Sequence, residues 1–187
     1  MKTEYEVRVL EINKDEIIKK LKDLSCEFVG EYVQKRYVYD FKPKLEGKWI
    51  RLRTNGKETT LTIKDIITDK IDGTKELEIE VSDFDKTASI LEELGYRPKA
   101  IQENKRVRYM YKDIEIDIDS WPLIPDYLEI EGNSIEEVNN MIQILGIDEE
   151  TITTKDCQNI YKDYGYDLDS IQELKLEEER LWNYMTN

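Results

Sequence analysis

The segment Glu4-Tyr5-Glu6-Val7-Arg8-Val9 alternates charged and apolar side chains along its whole length. Because successive side chains of a β-strand point to opposite faces, the pattern predicts a strand with Glu4, Glu6 and Arg8 on one face and apolar bulk on the other. Half-solvated strands commonly alternate in this way. The segment therefore decides the fold only if later strands repeat its charged face.

Later segments of the chain repeat this alternation or otherwise have strand character. They are Gln34–Asp40, Trp49–Arg53, Thr59–Lys64, Lys75–Val81, Lys105–Tyr111, Ile114–Asp119 and Tyr127–Gly132. Asn55-Gly56 predicts a type I′ hairpin turn between two of these strands, and Lys42–Lys48, which contains Pro43 and Gly47, is predicted to be a loop. On that hairpin the expected inward residues are Arg51, Arg53, Thr62 and Lys64, and the expected outward residues are Ile50, Leu52, Leu61 and Ile63.

Helices are predicted between the strands, each after a strand that carries a Glu-x-Glu pair. The first follows the N-cap residue Asn13 and ends at Leu24, the second spans about Asp85–Leu94, and the third begins at a capping box of Ser134 and Glu137. One face of the third helix carries Val138, Met141, Ile142 and Leu145. The repeated strand–helix unit predicts helices that cover the outside of a curved sheet.

The tail, residues 147–187, has a weaker pattern. From Leu168 to the end it is predicted to be an acidic helix, with Glu177, Glu178 and Glu179 in solvent and with Leu174, Leu181 and Trp182 packed. No linker or low-complexity segment interrupts the chain. Residues 1–187 are therefore predicted to form a single domain, with its core in about residues 1–146 and a helical or irregular tail in residues 147–187.

The chain of 187 residues has a formal net charge of −14 and contains no histidine. The acidity disfavours nucleic acids and anionic membranes as partners. The lack of histidine excludes Ser-His-Asp and Cys-His catalysis and His-ligated zinc. No apolar run approaches the ~20 residues of a membrane span, the chain begins directly with a charged strand instead of a signal peptide, and Cys26 and Cys157 share no metal-type spacing. A reduced, cytoplasmic setting is expected.

The charged strand faces form one constellation. Its cationic members are Arg8, Arg51, Arg53, Lys64, Arg106 and Arg108, and its acidic members are Glu4, Glu6, Glu76, Glu78, Glu80, Glu115, Asp117, Asp119, Glu129 and Glu131. If helices cover the apolar faces, these side chains line either bulk solvent or the interior of a closed antiparallel barrel. An interior with both signs of charge suits a ligand that is itself charged and brings metal. Arginine and lysine hold phosphate oxygens, whereas carboxylates hold Mg²⁺ or Mn²⁺.

In this order the residues resemble the CYTH family of triphosphate tunnel metalloenzymes. Glu4-x-Glu6-x-Arg8 is similar to the N-terminal ExExK signature of that family, and the resemblance continues through Arg51-x-Arg53, Lys64, Glu78, Arg106-x-Arg108, Asp119 and Glu129-x-Glu131. It looks most like the class IV adenylate cyclase branch, which is related to thiamine triphosphatase. The resemblance implies an α+β fold, in which a closed antiparallel β-barrel of about eight strands forms a tunnel with flanking helices.

The resemblance also implies roles for individual residues. The implied metal ligands are Glu4, Glu6, Asp119, Glu129 and Glu131; the implied phosphate-binding residues are Arg8, Arg51, Arg53, Lys64, Arg106 and Arg108; the implied catalytic residues are Glu4, Glu6 and Arg8; and the implied tunnel-wall residues are Glu78, Glu80 and Asp117. The cofactor would be Mg²⁺ or Mn²⁺, and the partner a small-molecule triphosphate. The family lysine is Arg8 in this chain. Because arginine stays protonated, this departure bears on how water would be activated.

The resemblance implies an enzyme that hydrolyses inorganic triphosphate, a nucleoside triphosphate or thiamine triphosphate. The alternatives are a class IV adenylate cyclase that converts ATP to cyclic AMP and pyrophosphate, a non-catalytic module that binds polyphosphate or nucleotide, and a structural protein with a solvated sheet face. Lys35 and Arg36 are interpreted as surface or wall residues. The oligomeric state stays open, with a homodimer as one alternative.

Overall fold

The alternating segments pair into one closed ring of antiparallel strands. The structure, a computed structural model, describes residues 1–176. The ring strands are β1 (Lys2–Val9), β2 (Glu27–Leu45), β3 (Lys48–Thr54), β4 (Thr59–Ile66), β5 (Thr74–Glu80), β6 (Ala100–Tyr111), β7 (Ile114–Ser120) and β8 (Tyr127–Gly132). They follow the order β6-β2-β3-β4-β5-β1-β8-β7, and β7 pairs with β6 to close the ring. The predicted α+β fold with a closed antiparallel barrel is therefore confirmed.

Within residues 1–176, four α-helices and two short strands lie outside this ring. The helices are α1 (Lys14–Asp23), α2 (Phe84–Glu93), α3 (Ile135–Leu145) and α4 (Cys157–Asp163), and the strands are β9 (Ile152–Thr153) on β1 and β10 (Glu173–Leu174) on β6. The Asn13 side chain caps α1 by accepting the Glu16 N–H at 3.3 Å, as predicted. The Ser134 hydroxyl accepts the Glu137 N–H at 3.2 Å, whereas the Glu137 carboxylate accepts the N–H of Asn133 at 2.8 Å.

The helices cover the apolar outer faces of the strands. Helices α1 and α3 bury one cluster, whose members include Leu21, Ile116, Ile118, Leu128, Ile130, Val138, Met141, Ile142 and Leu145. Helix α2 buries a second cluster, in which Leu91 packs with Tyr39, Ile50 and Leu52, and Leu61 and Ile63 are partly buried. The outward residues predicted for the β3–β4 hairpin are therefore correct. Since alternate residues face opposite ways, the charged faces point into the barrel.

The β3–β4 connection differs from the predicted two-residue turn. Thr54 pairs with Thr59, so residues 55–58 form a longer loop. A type I′ turn requires positive φ at both central residues, but here only Gly56 has it, at 85°. The Asn55 side chain closes the loop by accepting the N–H groups of Lys57 at 2.9 Å and Glu58 at 2.8 Å.

Strand β2 is much longer than the predicted Gln34–Asp40 segment, and the predicted loop at Lys42–Lys48 is wrong. The strand continues to Leu45, which pairs with Lys48, and only Glu46 and Gly47 form the turn. Pro43 is tolerated because the β2–β3 ladder has a register shift between Asp40 and Leu45, where no ladder hydrogen bond is needed.

The C-terminal segment closes over one end of the barrel instead of forming the predicted helix from Leu168. Leu168–Ser170 is a 3₁₀ turn, as is Glu149–Thr151, and β10 then runs parallel to β6. The segment buries an apolar cluster formed by Trp121, Ile124, Tyr127, Ile160, Tyr161, Leu168 and Leu174. The expectations for Glu177, Glu178, Glu179, Leu181 and Trp182 lie outside the described residues.

The packing of α1 on the barrel predicts a large stability effect at Leu21, which is fully buried. Replacing it with alanine leaves a cavity between helix and sheet, so Leu21→Ala should lower the free energy of unfolding by about 2–5 kcal/mol. Denaturant unfolding measures this loss. The control Ile90→Ala lies on α2 at a position that is 60% exposed and should change stability by no more than about 0.5 kcal/mol. Equal effects of the two substitutions would contradict the described helix packing.

Candidate ligand-binding tunnel

All ring strands contribute side chains to one cavity of about 570 Å³ inside the barrel. Most of the charged residues predicted from the sequence line it: Glu4, Glu6, Arg8, Arg51, Arg53, Lys64, Glu78, Arg106, Arg108, Asp119, Glu129 and Glu131. The apolar outer faces explain this arrangement. Successive side chains of a strand point to opposite faces, so when every second residue packs under a helix, the residues between them point into the barrel. The structure thus brings these candidates together around a shared space.

Two predicted wall residues lie elsewhere. Glu80 is exposed at the end of β5 and does not line the cavity. Asp117 is 3% exposed and lies beneath two cavity residues, because its carboxylate accepts from Arg108 Nε at 2.8 Å and pairs with Arg106 Nη1 at 2.7 Å. Asp117 therefore lies on the inward face of β7, where its carboxylate holds the two arginines.

Arg8 is locked in place by acidic partners from two strands. Its Nη2 pairs with Glu6 Oε1 at 2.9 Å and with Glu129 Oε2 at 2.8 Å, and its Nη1 donates to the Lys155 carbonyl at 3.0 Å. Burial opposes the charge of Arg8, but Glu6 and Glu129 outweigh it and raise its pKa well above the usual value. Arg8 is therefore a permanent cation that ties β1 to β8 and to the C-terminal segment.

Arg106 is the second arginine that pairs with more than one carboxylate. Its Nε and Nη2 form a bidentate pair with Asp119 at 2.7 and 2.5 Å, and Nη2 also reaches Glu129 at 3.0 Å. Burial opposes the ionisation of Glu129, but Arg8 and Arg106 outweigh it and hold its pKa well below the ordinary range. Both Asp119 oxygens accept from Arg106, so this predicted metal ligand is engaged in an ion pair.

Lys64 organises the opposite wall. Its Nζ lies 3.0 Å from Glu4 and 3.2 Å from Glu76. Glu76 and Glu78 each lie 3.4 Å from Arg51 Nη2, and Glu78 is 3.7 Å from Arg53. Ion pairs of this kind offset part of the free energy needed to remove each charge from water.

An acid-rich zone lies where β1, β7 and β8 meet. Glu6 and Glu115 lie opposite Glu131 in the two strand ladders. Burial, followed by repulsion from Glu6, Glu115 and Glu129, raises the pKa of Glu131 to about 7. Burial also raises the pKa of Glu4 to about 8, because Lys64 compensates it only in part. If every one of these carboxylates were ionised, the zone would carry more negative charge than its protein partners neutralise, so burial and mutual repulsion favour the protonated forms of Glu4 and Glu131.

A base-rich zone lies on β2 and β3. Arg36 lies opposite Arg53 in the ladder, and Arg51 is two residues away on the same strand. Repulsion from Arg51, together with burial, lowers the pKa of Arg53 to about 9, whereas burial followed by repulsion from Arg51 and Arg106 lowers that of Arg36 to about 10. The buried Nε atoms of Arg36 and Arg51 have no hydrogen-bond partner among the described residues.

Sequence reasoning missed several cavity residues, of which Arg36 is the most important. Of the two interpretations given for it, surface or wall, the structure supports the wall, because Arg36 lines the cavity and is 8% exposed. The alternation of Gln34, Arg36 and Val38 with Tyr37 and Tyr39 was a usable signal, because it puts Arg36 on the face opposite the tyrosines. Other residues that line the cavity without having been predicted are Trp49, Gln102, Trp121, Tyr127, Asp156, Cys157, Gln158 and Asp169.

The donor chemistry of the acid-rich zone fits a hard divalent cation. The zone offers carboxylate oxygens, which suit Mg²⁺ or Mn²⁺. Burial, followed by repulsion between neighbouring carboxylates, raises the pKa of Glu131, and burial raises that of Glu4 despite Lys64. Within residues 1–176, no three acidic or cysteine side chains are already arranged around one point. Mg²⁺ commonly needs only one or two carboxylates when substrate phosphates and water supply the rest, so the residues fit a metal that arrives with its substrate.

The closed barrel and its ion-lined cavity define a β-tunnel protein. The chain belongs to the CYTH domain family, whose model matches residues 2–155. No curated protein sequence matches this chain. Among the described residues, no helix has the length and apolar character needed to cross a membrane.

Solved structures share this architecture. Protein PH1012 of Pyrococcus horikoshii is 24% identical, with a TM-score of 0.70 over 81% of this chain and 95% of that one. A conserved hypothetical protein of Pyrococcus furiosus is also 24% identical, with a TM-score of 0.70 over 83% and 98% of the two chains. A Vibrio parahaemolyticus protein, provisionally assigned as an adenylate cyclase, is 16% identical, with a TM-score of 0.74 over 86% and 98%. At these identities the similarity establishes the fold.

The acid-rich zone predicts that the metal-free protein becomes less stable as the pH rises. Between about pH 4.5 and pH 8 the folded state keeps protons on Glu4 and Glu131 that the unfolded chain has released. The folded state then binds more protons than the unfolded state, so the free energy of unfolding falls with increasing pH. Thermal unfolding in a chelating buffer should show Tm decreasing across this window.

Two substitutions isolate the contribution of this zone to the pH dependence. Glu131→Gln removes one of the protonated groups and should flatten the decrease in Tm. Glu80→Gln, at the exposed end of β5, should leave it unchanged. A wild-type Tm that rises between about pH 4.5 and pH 8 would contradict the retention of protons by Glu4 and Glu131. The same slope of Tm against pH in the two variants would contradict it as well.

Proposed function

We propose that this protein hydrolyses a triphosphate compound in a reaction that depends on Mg²⁺ or Mn²⁺. The observation that carries the proposal is the separation of an acid-rich and a base-rich zone within one cavity. A triphosphate with a bound cation has the complementary arrangement, since its oxygens suit arginine and lysine and its metal suits carboxylates. Members of the CYTH family generally depend on divalent metal ions, which supports this assignment.

The phosphate groups would be held by Arg51, Arg53, Lys64, Arg106 and Arg108. The metal would be held by carboxylates from the set Glu4, Glu6, Asp119, Glu129 and Glu131. When bound, the cation supplies charge neutralisation at the phosphate and polarises the phosphorus centre. Arg106 and Arg108 already hold Asp117 and Asp119, so part of their role is to keep these carboxylates in place.

Arg8 acts in this proposal as a positioning residue for the carboxylates. Its Nη atoms bind Glu6, Glu129 and the Lys155 carbonyl, and its raised pKa excludes proton abstraction. Its buried Nε has no hydrogen-bond partner among the described residues. The proton of the attacking water would therefore pass to a carboxylate, and not to the residue at the position of the family lysine.

A nucleotide cyclase is the second candidate. The cavity wall includes apolar and aromatic side chains, among them Val38, Trp49 and Ala100, against which a base could pack. One structure with the same fold is the Vibrio parahaemolyticus protein provisionally assigned as an adenylate cyclase. A Hippeastrum protein with a provisional adenylyl cyclase assignment, described as having a dominant triphosphatase activity, is 14% identical with a TM-score of 0.58. The products formed from ATP distinguish the candidates.

The test is a substrate panel of inorganic triphosphate, ATP and thiamine triphosphate with Mg²⁺ or Mn²⁺ and chromatographic product identification. Phosphate release that stops on addition of a chelator is expected. Arg53→Gln should lower kcat/KM by about 10- to 100-fold, because it removes a charge-assisted hydrogen bond to phosphate. Arg97→Gln is the matched control, since Arg97 is exposed and pairs with Glu92 on the outside, and it should retain full activity.

Each alternative has its own outcome. If the products from ATP are cyclic AMP and pyrophosphate, the protein is a cyclase and the hydrolase proposal is wrong. Tight tripolyphosphate binding without product under either metal would favour a binding module. If Arg53→Gln and Arg97→Gln have the same kcat/KM, the reaction does not take place in the cavity.

A further inference from the structure

Arg36 differs from the other arginines of the cavity in having only neutral partners. Its Nη2 donates to Gln34 Oε1 at 2.8 Å and to Asn104 Oδ1, and its guanidinium lies over the Trp121 ring at 4.5 Å from the centroid. Within residues 1–176, Arg36 forms no ion pair with any carboxylate. The charge of Arg36 therefore has no direct counter-ion in the described protein.

The strand register puts the positive charge of Arg36 next to another positive charge. Arg36 and Arg53 are directly opposite each other on β2 and β3, a position at which like charges destabilise a sheet. Two carboxylates face these arginines: Glu78 is shared between Arg51 and Arg53 at 3.4 and 3.7 Å, and Glu76, 3.4 Å from Arg51, is shared with Lys64 at 3.2 Å. Residues Arg36, Arg51 and Arg53 thus present more positive charge than this edge of the cavity neutralises.

Unsatisfied hydrogen-bond donors on two of these arginines also favour a bound anion. The Nε atoms of Arg36 and Arg51 are buried, and neither has an acceptor among the described residues. Buried donors are normally satisfied, and leaving one unpaired next to an uncompensated charge is costly. An anion with several acceptor oxygens would satisfy these donors and neutralise the cluster at once, which is what a phosphoryl group offers.

We infer that Arg36 forms, with Arg51 and Arg53, a subsite for one phosphoryl group of the ligand. The inference rests on the proposed function and deepens it, because it adds a binding determinant from β2 to the cations of β3. The subsite is formed by β2 and β3, whereas Glu131 and its acidic neighbours lie on β1, β7 and β8, so the phosphoryl group that the subsite takes would be held by guanidinium groups and not through the metal. An elongated ligand with a phosphate at its end fits this arrangement.

A purely structural role is the competing explanation. Arg36 stacks on Trp121, whose ring also contacts Tyr161 of the C-terminal segment at 6.2 Å between centroids. Such a role would affect stability but not ligand affinity. Affinity and stability must therefore be measured in the same variants.

Tripolyphosphate binding measured by calorimetry tests the inference. A chelator prevents metal-dependent turnover, and a fixed ionic strength keeps screening equal between variants. Arg36→Gln should weaken binding by about 10- to 100-fold, the loss expected for a hydrogen bond to a charged group. Arg36→Lys keeps the charge without the planar fork and should fall between the wild type and Arg36→Gln.

Lys35→Gln is the matched control. Lys35 neighbours Arg36 on β2 but faces outward, where its ammonium lies 5.1 Å from the centroid of the Tyr37 ring. Lys35→Gln changes the net charge of the protein by the same amount as Arg36→Gln. It should change the affinity for tripolyphosphate less than twofold, because solvent screens a charge that lies outside the cavity. The same set measured with ATP shows whether the phosphoryl group comes from a nucleotide as well as from inorganic polyphosphate.

The rise of Tm on adding tripolyphosphate separates binding from stability. Under the inference this rise is reduced in Arg36→Gln and preserved in Lys35→Gln. If Arg36→Gln is less stable but binds tripolyphosphate as tightly as the wild type, the role is structural and the inference is overturned. Arg36-dependent binding without turnover of any triphosphate would overturn the hydrolase proposal alone, whereas turnover with unchanged affinity of Arg36→Gln would overturn the subsite alone.

Discussion

Charge inside a closed barrel has to be compensated, and this requirement governs the interior of the protein. Moving an ion from water into a protein interior costs several kcal/mol, by rough estimate, unless partners or water replace its hydration. Most interior charges here have such partners. Arg106, for example, is held by Asp117, Asp119 and Glu129. Where pairing is complete, the charged residues behave as part of the wall.

Two places depart from full compensation, and they define what the cavity can do. Glu131 lies opposite Glu6 and Glu115 in the strand ladders, and Arg36 lies opposite Arg53, so like charges face each other in both places. Within residues 1–176, neither Glu131 nor Arg36 forms an ion pair that would relieve this repulsion. A ligand with a cation at one end and phosphate oxygens at the other complements both at once, which gives its orientation a physical basis.

Much of the fold could be predicted because period-two alternation reports directly which face of a strand is buried. The inward positions of Arg51, Arg53 and Lys64 follow from the apolar residues beside them, and the cap at Asn13 follows from local hydrogen bonding. Register could not be predicted in the same way. It depends on partners far away in the chain, such as Arg36 opposite Arg53 and Gln102.

The errors have related causes. The β3–β4 loop was predicted too short because the Asn55 side chain makes the turn hydrogen bonds that a type I′ backbone would have made. The end of β2 was missed because Pro43 suggests a loop, although a ladder irregularity accommodates it. The packing of the C-terminal segment on the barrel was not predicted, because its apolar residues, such as Ile160 and Leu168, are too few to form a helical or strand pattern in the sequence. Their burial comes from Trp121 and Tyr127, which tertiary structure alone brings near.

The order in which the ring is assembled follows from the position of β1. Arg8 lies opposite Glu129, a residue about 120 positions later in the chain. A ribosome adds about 5–20 residues per second, so the first strand waits many seconds for this partner, and long-range pairing is slow in itself. Throughout that wait Glu6 and Arg8 stay hydrated. The transfer of these ions out of water is thereby postponed until β8 has been synthesised, because only then can the β1–β8 pairing form.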